Sequence, residues 1–199
     1  MKNKNIKNVV FICGAGGDAG MTYVTELKKF CEQKGYNFYA PHMPAFADGI
    51  TYEKYKSSFE KTCENLDWST TLIVCQSVGT NFIVKYFGTN PLDIAGYISV
   101  SGFSKDLDKP LPQETLDRLK ILNDFRPSAE DYTKFKNTAF PKYSIYGGKD
   151  IFFTPGNLEG YADMIGSDKY FDENGVHCTI SENVTKHELL HKVIDENFI

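Results

Sequence analysis

The sequence predicts an α/β protein: a three-layer α/β/α sandwich around a parallel sheet of about six strands. Short apolar runs alternate along the chain with amphipathic helical patterns, and most runs are continuous rather than alternating with polar residues. Continuous apolar runs are typical of strands buried on both faces, and strands that alternate with helices indicate βαβ units. At 199 residues and 41% hydrophobic, the chain is expected to form one domain over 1–199.

Six runs are predicted as strands because they are short and rich in β-branched or aromatic residues. They are Asn8–Cys13, Asn37–Ala40, Thr71–Cys75, Gly96–Ser101, Tyr143–Gly147 and His177–Ile180. The last of them has the weakest pattern. With right-handed crossovers, we expect a strand order of 2-1-3-4-5-6.

The helical predictions rest on apolar residues recurring every three or four positions. They cover Thr22–Lys34, Thr51–Leu66, Asn81–Phe87, Leu158–Met164 and His187–Phe198. The polar, proline-containing segment 104–140 interrupts the alternation, with room for short helices at Gln113–Asn123 and Ser128–Lys136. We interpret it as a small insertion over one edge of the sheet.

Composition and charge exclude several classes of function. The net charge is −4 with no strongly basic block, so nucleic acid is not an expected partner. No apolar stretch approaches a membrane span, and the first apolar run is too short for a secretory signal. The five cysteines are scattered without a C-x-x-C pair, which favours reduced thiols and a cytoplasmic location.

The motif that carries chemistry is Cys75-Gln76-Ser77-Val78-Gly79, which joins an apolar strand to a helical pattern. A tight strand-to-helix turn of this kind, a nucleophile elbow, lifts a serine hydroxyl above the sheet at a helix N-terminus. Ser77 is therefore the predicted nucleophile, although Cys75 stands where glycine is usual. An ordinary serine in a turn is the alternative interpretation.

A glycine-rich loop, Gly14-Ala15-Gly16-Gly17-Asp18, directly follows the first strand. It is expected to aim the Ala15 N–H at the same oxyanion that the Val78 N–H would bind, which completes an oxyanion hole. Dinucleotide binding is disfavoured, because the loop fits only a relaxed G-x-G-x-x-A pattern and no acidic residue ends the second strand.

The remaining triad members should follow in the order acid, then histidine. Asp150 lies just past the fifth predicted strand, at the edge of the sheet where active sites of such proteins are built. His187 follows the last predicted strand and begins the final helix, so it is the predicted general base. His177, at the start of that strand, is expected to be structural.

A competing interpretation is a zinc peptidase. His187-Glu188-Leu189-Leu190-His191 matches H-E-x-x-H, which places two imidazoles on one helix face. The downstream residues disfavour this reading, because Ile194 and Asn197 stand where an extended metzincin pattern needs glycine and histidine.

Taken together, these motifs resemble the small serine hydrolases of the retinoblastoma-binding-protein-nine family. The resemblance runs from about Val9 to Leu190 and is carried by the Gly14–Asp18 loop, Met43-Pro44, the Ser77 elbow, Ser99-Val100-Ser101, Gly147-x-x-Asp150 with Pro155, and His187-Glu188-Leu189. It implies an α/β-hydrolase fold with little or no lid and a triad of Ser77, Asp150 and His187. Cys75-Gln76 replaces the usual Gly-His, and Lys186 stands where glycine is usual.

The expected function is therefore that of a serine hydrolase that cleaves a small ester or amide through an acyl-enzyme on Ser77. We expect no cofactor and no metal, and a shallow pocket suited to short acyl groups, since only 104–140 is available to cover it. A non-catalytic binding protein on a hydrolase scaffold is the main alternative.

Overall fold

Six parallel strands form one sheet in the order β2-β1-β3-β4-β5-β6 in the computed structural model, which describes residues 6–17, 20–44, 46–179 and 182–198. The predicted strand order is thus confirmed. The strands are β1 Asn8–Ile12, β2 Asn37–Tyr39, β3 Thr71–Gln76, β4 Gly96–Val100, β5 Lys142–Gly147 and β6 Asp168–Asp172.

The centre of the sheet is buried on both faces, as the continuous apolar runs predict. Every residue of β1, β3 and β4 is buried. Strand β3 lies between the other two, with Val10 opposite Ile73 and Val74 opposite Ile98. From β1 the chain adds β2 on one side of the sheet, and then β3 to β6 on the other side. The loops that follow β1 and β3 therefore border the crevice at this switch point, where such sheets bind ligands.

Seven α-helices connect and flank the strands: α1 Thr22–Gln33, α2 Tyr52–Cys63, α3 Val78–Thr89, α4 Gln113–Leu119, α5 Ala129–Lys136, α6 Pro155–Ile165 and α7 Glu188–Phe198. The count covers only the described residues. The helices start and end close to the predicted bounds, because amphipathic spacing and caps define them. In α2, for example, the Thr51 side chain accepts a hydrogen bond from the Lys54 N–H.

The helices divide into two groups. Helix α1 contacts α7, where the Phe30 and His191 rings stack at 4.3 Å. Aromatic contacts join the other group, as between Phe59 of α2 and Phe82 of α3 at 5.6 Å, and between the tyrosines of α5 and α6 at 6.3 Å. Right-handed crossovers on either side of the β1/β3 switch place α1 and α3 on opposite faces of the sheet.

The sixth strand is not where the sequence analysis placed it. Strand β6 is Asp168–Asp172, paired with β5, whereas the predicted strand His177–Ile180 is irregular over 177–179, and Ile180 lies outside the described residues. The reason is physical: β6 is an edge strand with no fully buried residue and the polar sequence DKYFD, so it has no apolar run.

The segment between β4 and β5 folds over the carboxyl edge of the sheet. Helix α4 continues into a 3-10 helix over Lys120–Phe125, and α5 begins with a capping box between Ser128 and Asp131. The start of the segment is bound to Thr154, the residue that precedes α6. The Asp108 carboxylate accepts hydrogen bonds from the Thr154 N–H at 2.8 Å and from its hydroxyl at 2.6 Å.

Among the described residues, none of the helices has the length and apolar character needed to cross a membrane.

Candidate active site

Ser77 occupies a strained turn between β3 and α3. Its backbone has φ 54° and ψ −125°, a conformation that non-glycine residues rarely adopt, and its N–H donates to the Val100 carbonyl at 2.9 Å. Gly79 permits the turn, because a Cβ there would lie 2.7 Å from the Ile12 carbonyl oxygen. The motif thus has the strand-turn-helix geometry of a nucleophile elbow.

The side chain that faces Ser77 is His177. Its Nε2 lies 2.8 Å from the Ser77 Oγ, and its Nδ1 lies 2.6 Å from the Asp150 Oδ2. Serine, imidazole and carboxylate therefore form one continuous chain of hydrogen bonds. The His177 and Asp150 side chains are almost completely buried, while Ser77 is half-buried at the floor of a cleft.

Asp150 is held as a carboxylate by several donors. Its Oδ1 accepts hydrogen bonds from the N–H groups of Phe152 at 2.8 Å and Phe153 at 3.0 Å. Burial alone would raise the pKa of Asp150, but the hydrogen bond and charge of His177, together with these two backbone donors, outweigh it and lower the pKa. An ionised Asp150 fixes the proton of His177 on Nδ1 and leaves Nε2 free to accept from Ser77.

The structure corrects one predicted triad member, because His187 does not contact Ser77 or Asp150. His187 immediately precedes α7, and its Nδ1 accepts a hydrogen bond from the Leu190 N–H at 3.3 Å, so it caps that helix. Burial and then the neighbouring His191 lower the pKa of His187 to about 4. The choice of His187 followed from the misplaced sixth strand: with β6 at 168–172, the first histidine after the last strand is His177.

Aromatic side chains surround the His177 imidazole. The Phe152 ring lies perpendicular to it with centroids 4.8 Å apart, and the Phe153 ring lies at 5.8 Å. Phe103, which follows β4, stacks on Phe153 at 4.4 Å. These rings exclude water from the histidine and limit its rotation. Phe152 and Phe153, which follow Asp150 closely in the sequence, were the feature that could have indicated a buried side chain next to Asp150.

The two residues predicted to form the oxyanion hole lie beside Ser77. Val78 is the first residue of α3, where backbone N–H groups have no partner within the helix. The loop that contains Ala15 lines the cleft next to Ser77, and it packs so closely that a Cβ on Gly14 would lie 2.9 Å from the Ser77 Cβ. Asp18, the last residue of the predicted loop motif, lies outside the described residues.

The cleft above Ser77 has a volume of about 870 Å³, larger than the shallow pocket expected from the sequence. Residues of α4 and of the following 3-10 helix, among them Leu116 and Leu122, form one wall of this cleft. Apolar side chains dominate the lining: Ala15, Met21, Phe46, Phe103, Leu107, Leu116, Leu119, Leu122, Phe152 and Phe153. Charged residues, including Lys105, Glu114 and Arg126, also border it.

The H-E-x-x-H sequence serves a structural purpose in this fold. His187 uses Nδ1 to cap α7, and the His191 ring is stacked on Phe30 against α1. Within the described part of the chain, there is no group of three histidine, cysteine or acidic side chains placed to hold a metal ion.

No protein-family model matches the chain, and no curated protein matches its sequence. Solved structures do. The ydeN gene product of B. subtilis superposes with a TM-score of 0.81 at 22% identity over 96% of this chain and 97% of that one. A carboxylesterase from the thaumarchaeon Nitrososphaera gargenis gives 0.69 at 11% identity over 98% and 91%. Alpha/beta hydrolase domain-containing protein 10 from mouse gives 0.65 at 16% identity over 98% and 90%. The chain has the α/β-hydrolase fold.

Proposed function

We propose that this protein is a serine hydrolase in which Ser77 is the nucleophile, His177 the general base and Asp150 the residue that orients the histidine. The observation that carries the proposal is the continuous chain of hydrogen bonds, 2.8 Å and then 2.6 Å, from a serine on a nucleophile elbow to a buried carboxylate. Nucleophile, base and orienting acid in this arrangement are recognised by geometry and role.

The reaction would begin with transfer of the Ser77 hydroxyl proton to the Nε2 of His177. The Oγ then attacks the substrate carbonyl carbon, and the resulting oxyanion is stabilised by the N–H groups of Ala15 and Val78 and by the N-terminus of α3. Collapse breaks the bond to the leaving group, which takes the proton from His177. Water, deprotonated by the same nitrogen, hydrolyses the acyl-enzyme and returns Ser77 to its starting state.

The burial of Asp150 gives this cycle its electrostatic support. A positive charge forms on His177 in both tetrahedral steps, and the carboxylate 2.6 Å away stabilises it without taking the proton. The aromatic faces of Phe152 and Phe153 keep water from competing for that charge.

The cleft favours a substrate with an apolar acyl group linked as an ester or amide. Its volume of about 870 Å³ and its leucine and phenylalanine lining accommodate more than an acetyl group. Two similar structures, the carboxylesterase from Nitrososphaera gargenis and a thioesterase domain from the curacin biosynthetic pathway, are consistent with acyl chemistry. A small-molecule substrate, without nucleic acid or membrane, and a cytoplasmic location remain predictions from the sequence.

The test is labelling with a fluorophosphonate, which phosphonylates activated serines. We expect one adduct, on Ser77, located by mass spectrometry of the digested protein. Ser77→Ala should abolish labelling and lower kcat on a short-chain aryl ester by about 10³-fold or more. Ser57→Ala is the matched control, because Ser57 is an exposed serine on α2. An adduct on another serine would overturn the assignment of Ser77 as nucleophile. No adduct on folded protein would overturn the hydrolase proposal in favour of a non-catalytic binding protein.

A further inference from the structure

The side chain immediately before the nucleophile connects the parts of the site that the chain brings from distant positions. Gln76 is the last residue of β3 and is only 4% exposed. Its Oε1 accepts a hydrogen bond from the Gly14 N–H at 2.9 Å, and its Nε2 donates to the His177 carbonyl at 3.0 Å. One amide thus bridges the glycine-rich loop and the histidine loop.

The orientation of this amide is fixed by its partners. A backbone N–H can only donate and a backbone carbonyl can only accept, so the oxygen must face Gly14 and the nitrogen must face His177. Space at the first contact is also restricted, because a Cβ on Gly14 would lie 2.6 Å from the Gln76 Oε1. Both groups are buried, and the loss of either hydrogen bond would leave an unpaired polar group.

The histidine loop depends on such an anchor. Within the described residues, 173–179 contains no helix or strand, and the backbone turns sharply after His177 because Cys178 has φ 63°. The His177 N–H is held by the Glu182 Oε1 at 3.3 Å, a long contact, while its carbonyl is held by Gln76 at 3.0 Å. The position of the His177 backbone, and hence the reach of its ring to Ser77, is set from these two sides.

We propose that Gln76 is a positioning residue of the hydrolytic site: its amide holds the Gly14 loop and the His177 carbonyl in register with Ser77, so that oxyanion donors, nucleophile and base are aligned together. The inference rests on the proposed function. It assigns to Gln76 no contact with the substrate.

Two near-isosteric variants separate the two hydrogen bonds. Gln76→Glu retains an acceptor for the Gly14 N–H but loses the donor to the His177 carbonyl when it is ionised. Gln76→Met keeps the length of the side chain and removes both bonds. Because small misplacements of reacting groups are costly, we expect kcat to fall about 10- to 100-fold in each variant, with little change in KM.

The Gln76→Glu variant has a signature that a purely structural role would not produce. Because residue 76 is buried, we expect desolvation to raise the pKa of a glutamate introduced there. Its protonated form regains an O–H donor for the His177 carbonyl. The kcat of Gln76→Glu relative to native protein should therefore fall as pH rises through that pKa. Gln33→Glu, the same change at the exposed end of α1, is the control and should give a constant ratio.

The experiment measures the fluorophosphonate labelling rate, the kcat–pH profile and the Tm of native protein and the three variants. If native protein is not labelled at Ser77, the proposed function itself fails. If native protein is labelled and folded Gln76→Glu and Gln76→Met match it in labelling rate and kcat at every pH, the function stands and the positioning role is overturned. Should Gln76→Glu not fold, Gln76→Met decides alone by its kcat and Tm.

Discussion

Two regions near the C-terminus contain histidines, the loop with His177 and the start of α7 with His187 and His191, and their surroundings differ. His177 lies in an irregular loop that leaves β6, and its two ring nitrogens face a serine hydroxyl and a buried carboxylate. His187 and His191 lie at the start of α7, where one caps the helix and the other stacks on Phe30. The comparison shows that position in the fold makes a histidine a candidate base: His177 lies in the loop that follows β6, at the carboxyl end of the sheet and beside Asp150.

The largest difference between the two regions should appear on replacing each histidine by alanine. His177→Ala removes the proposed base and should lower kcat by about 10⁴-fold or more. His187→Ala removes a helix cap and should cost about 1 kcal/mol of stability with little effect on kcat. Steady-state kinetics and chemical denaturation of both variants check this. Similar losses of kcat from the two variants would break the comparison.

A somewhat smaller loss is expected from Asp150→Asn. The amide cannot stabilise the imidazolium and favours the wrong tautomer of His177, so kcat should fall by about 10³- to 10⁴-fold. The matched control is Asp108→Asn, which alters the exposed carboxylate that binds Thr154 on the same loop. If both variants retained native kcat, the hydrogen bond between Asp150 and His177 would have no part in the reaction.

The partly buried environment of His187 predicts a pH dependence of stability. The pKa of His187 in the folded protein, about 4, lies below the ordinary value of 6.5. Between these two pH values the unfolded chain is protonated at His187 and the folded chain is not. Stability should fall as pH drops from about 6.5 towards 4, by at most roughly 3 kcal/mol from this group. His187→Asn, which keeps a capping acceptor, should flatten the curve. A native curve that is flat over this range would show that His187 is readily protonated in place.

The smallest expected effect is that of a chelator. If activity comes from Ser77 and His177, treatment with EDTA should leave kcat unchanged, and His191→Ala should alter stability more than catalysis. The measurement is activity before and after chelation, with zinc added back. Inactivation by EDTA with recovery on zinc addition would instead support the metal interpretation of His187-Glu188-x-x-His191.

Much of this arrangement could be predicted from local sequence. Strands β1 and β3 contain continuous apolar runs, and β4 and β5 are short runs rich in β-branched or aromatic residues. The elbow can be recognised because Ser77 and Gly79 stand between a strand and a helical pattern. Asp150 could be placed because it follows the last buried strand. These features are local, and periodicity or small-residue spacing reports them directly.

What the sequence did not predict depends on exposure and on distant contacts. Strand β6 is an edge strand whose side chains face solvent, so no apolar pattern distinguishes it, and its misplacement moved the predicted base from His177 to His187. Gln76 is hydrogen-bonded to Gly14 and His177, which lie 62 and 101 positions away along the chain, and no local pattern in the sequence indicates such contacts. Only the folded sheet brings them to one edge.

The most direct test of the account is a crystal structure of the protein after reaction with a fluorophosphonate. The account predicts phosphorus bonded to the Ser77 Oγ, a phosphoryl oxygen that accepts hydrogen bonds from the N–H groups of Ala15 and Val78, and His177, held by Asp150, facing the adduct. Phosphorus on a different residue, or an adduct on Ser77 that is faced by His187 instead of His177, would contradict it.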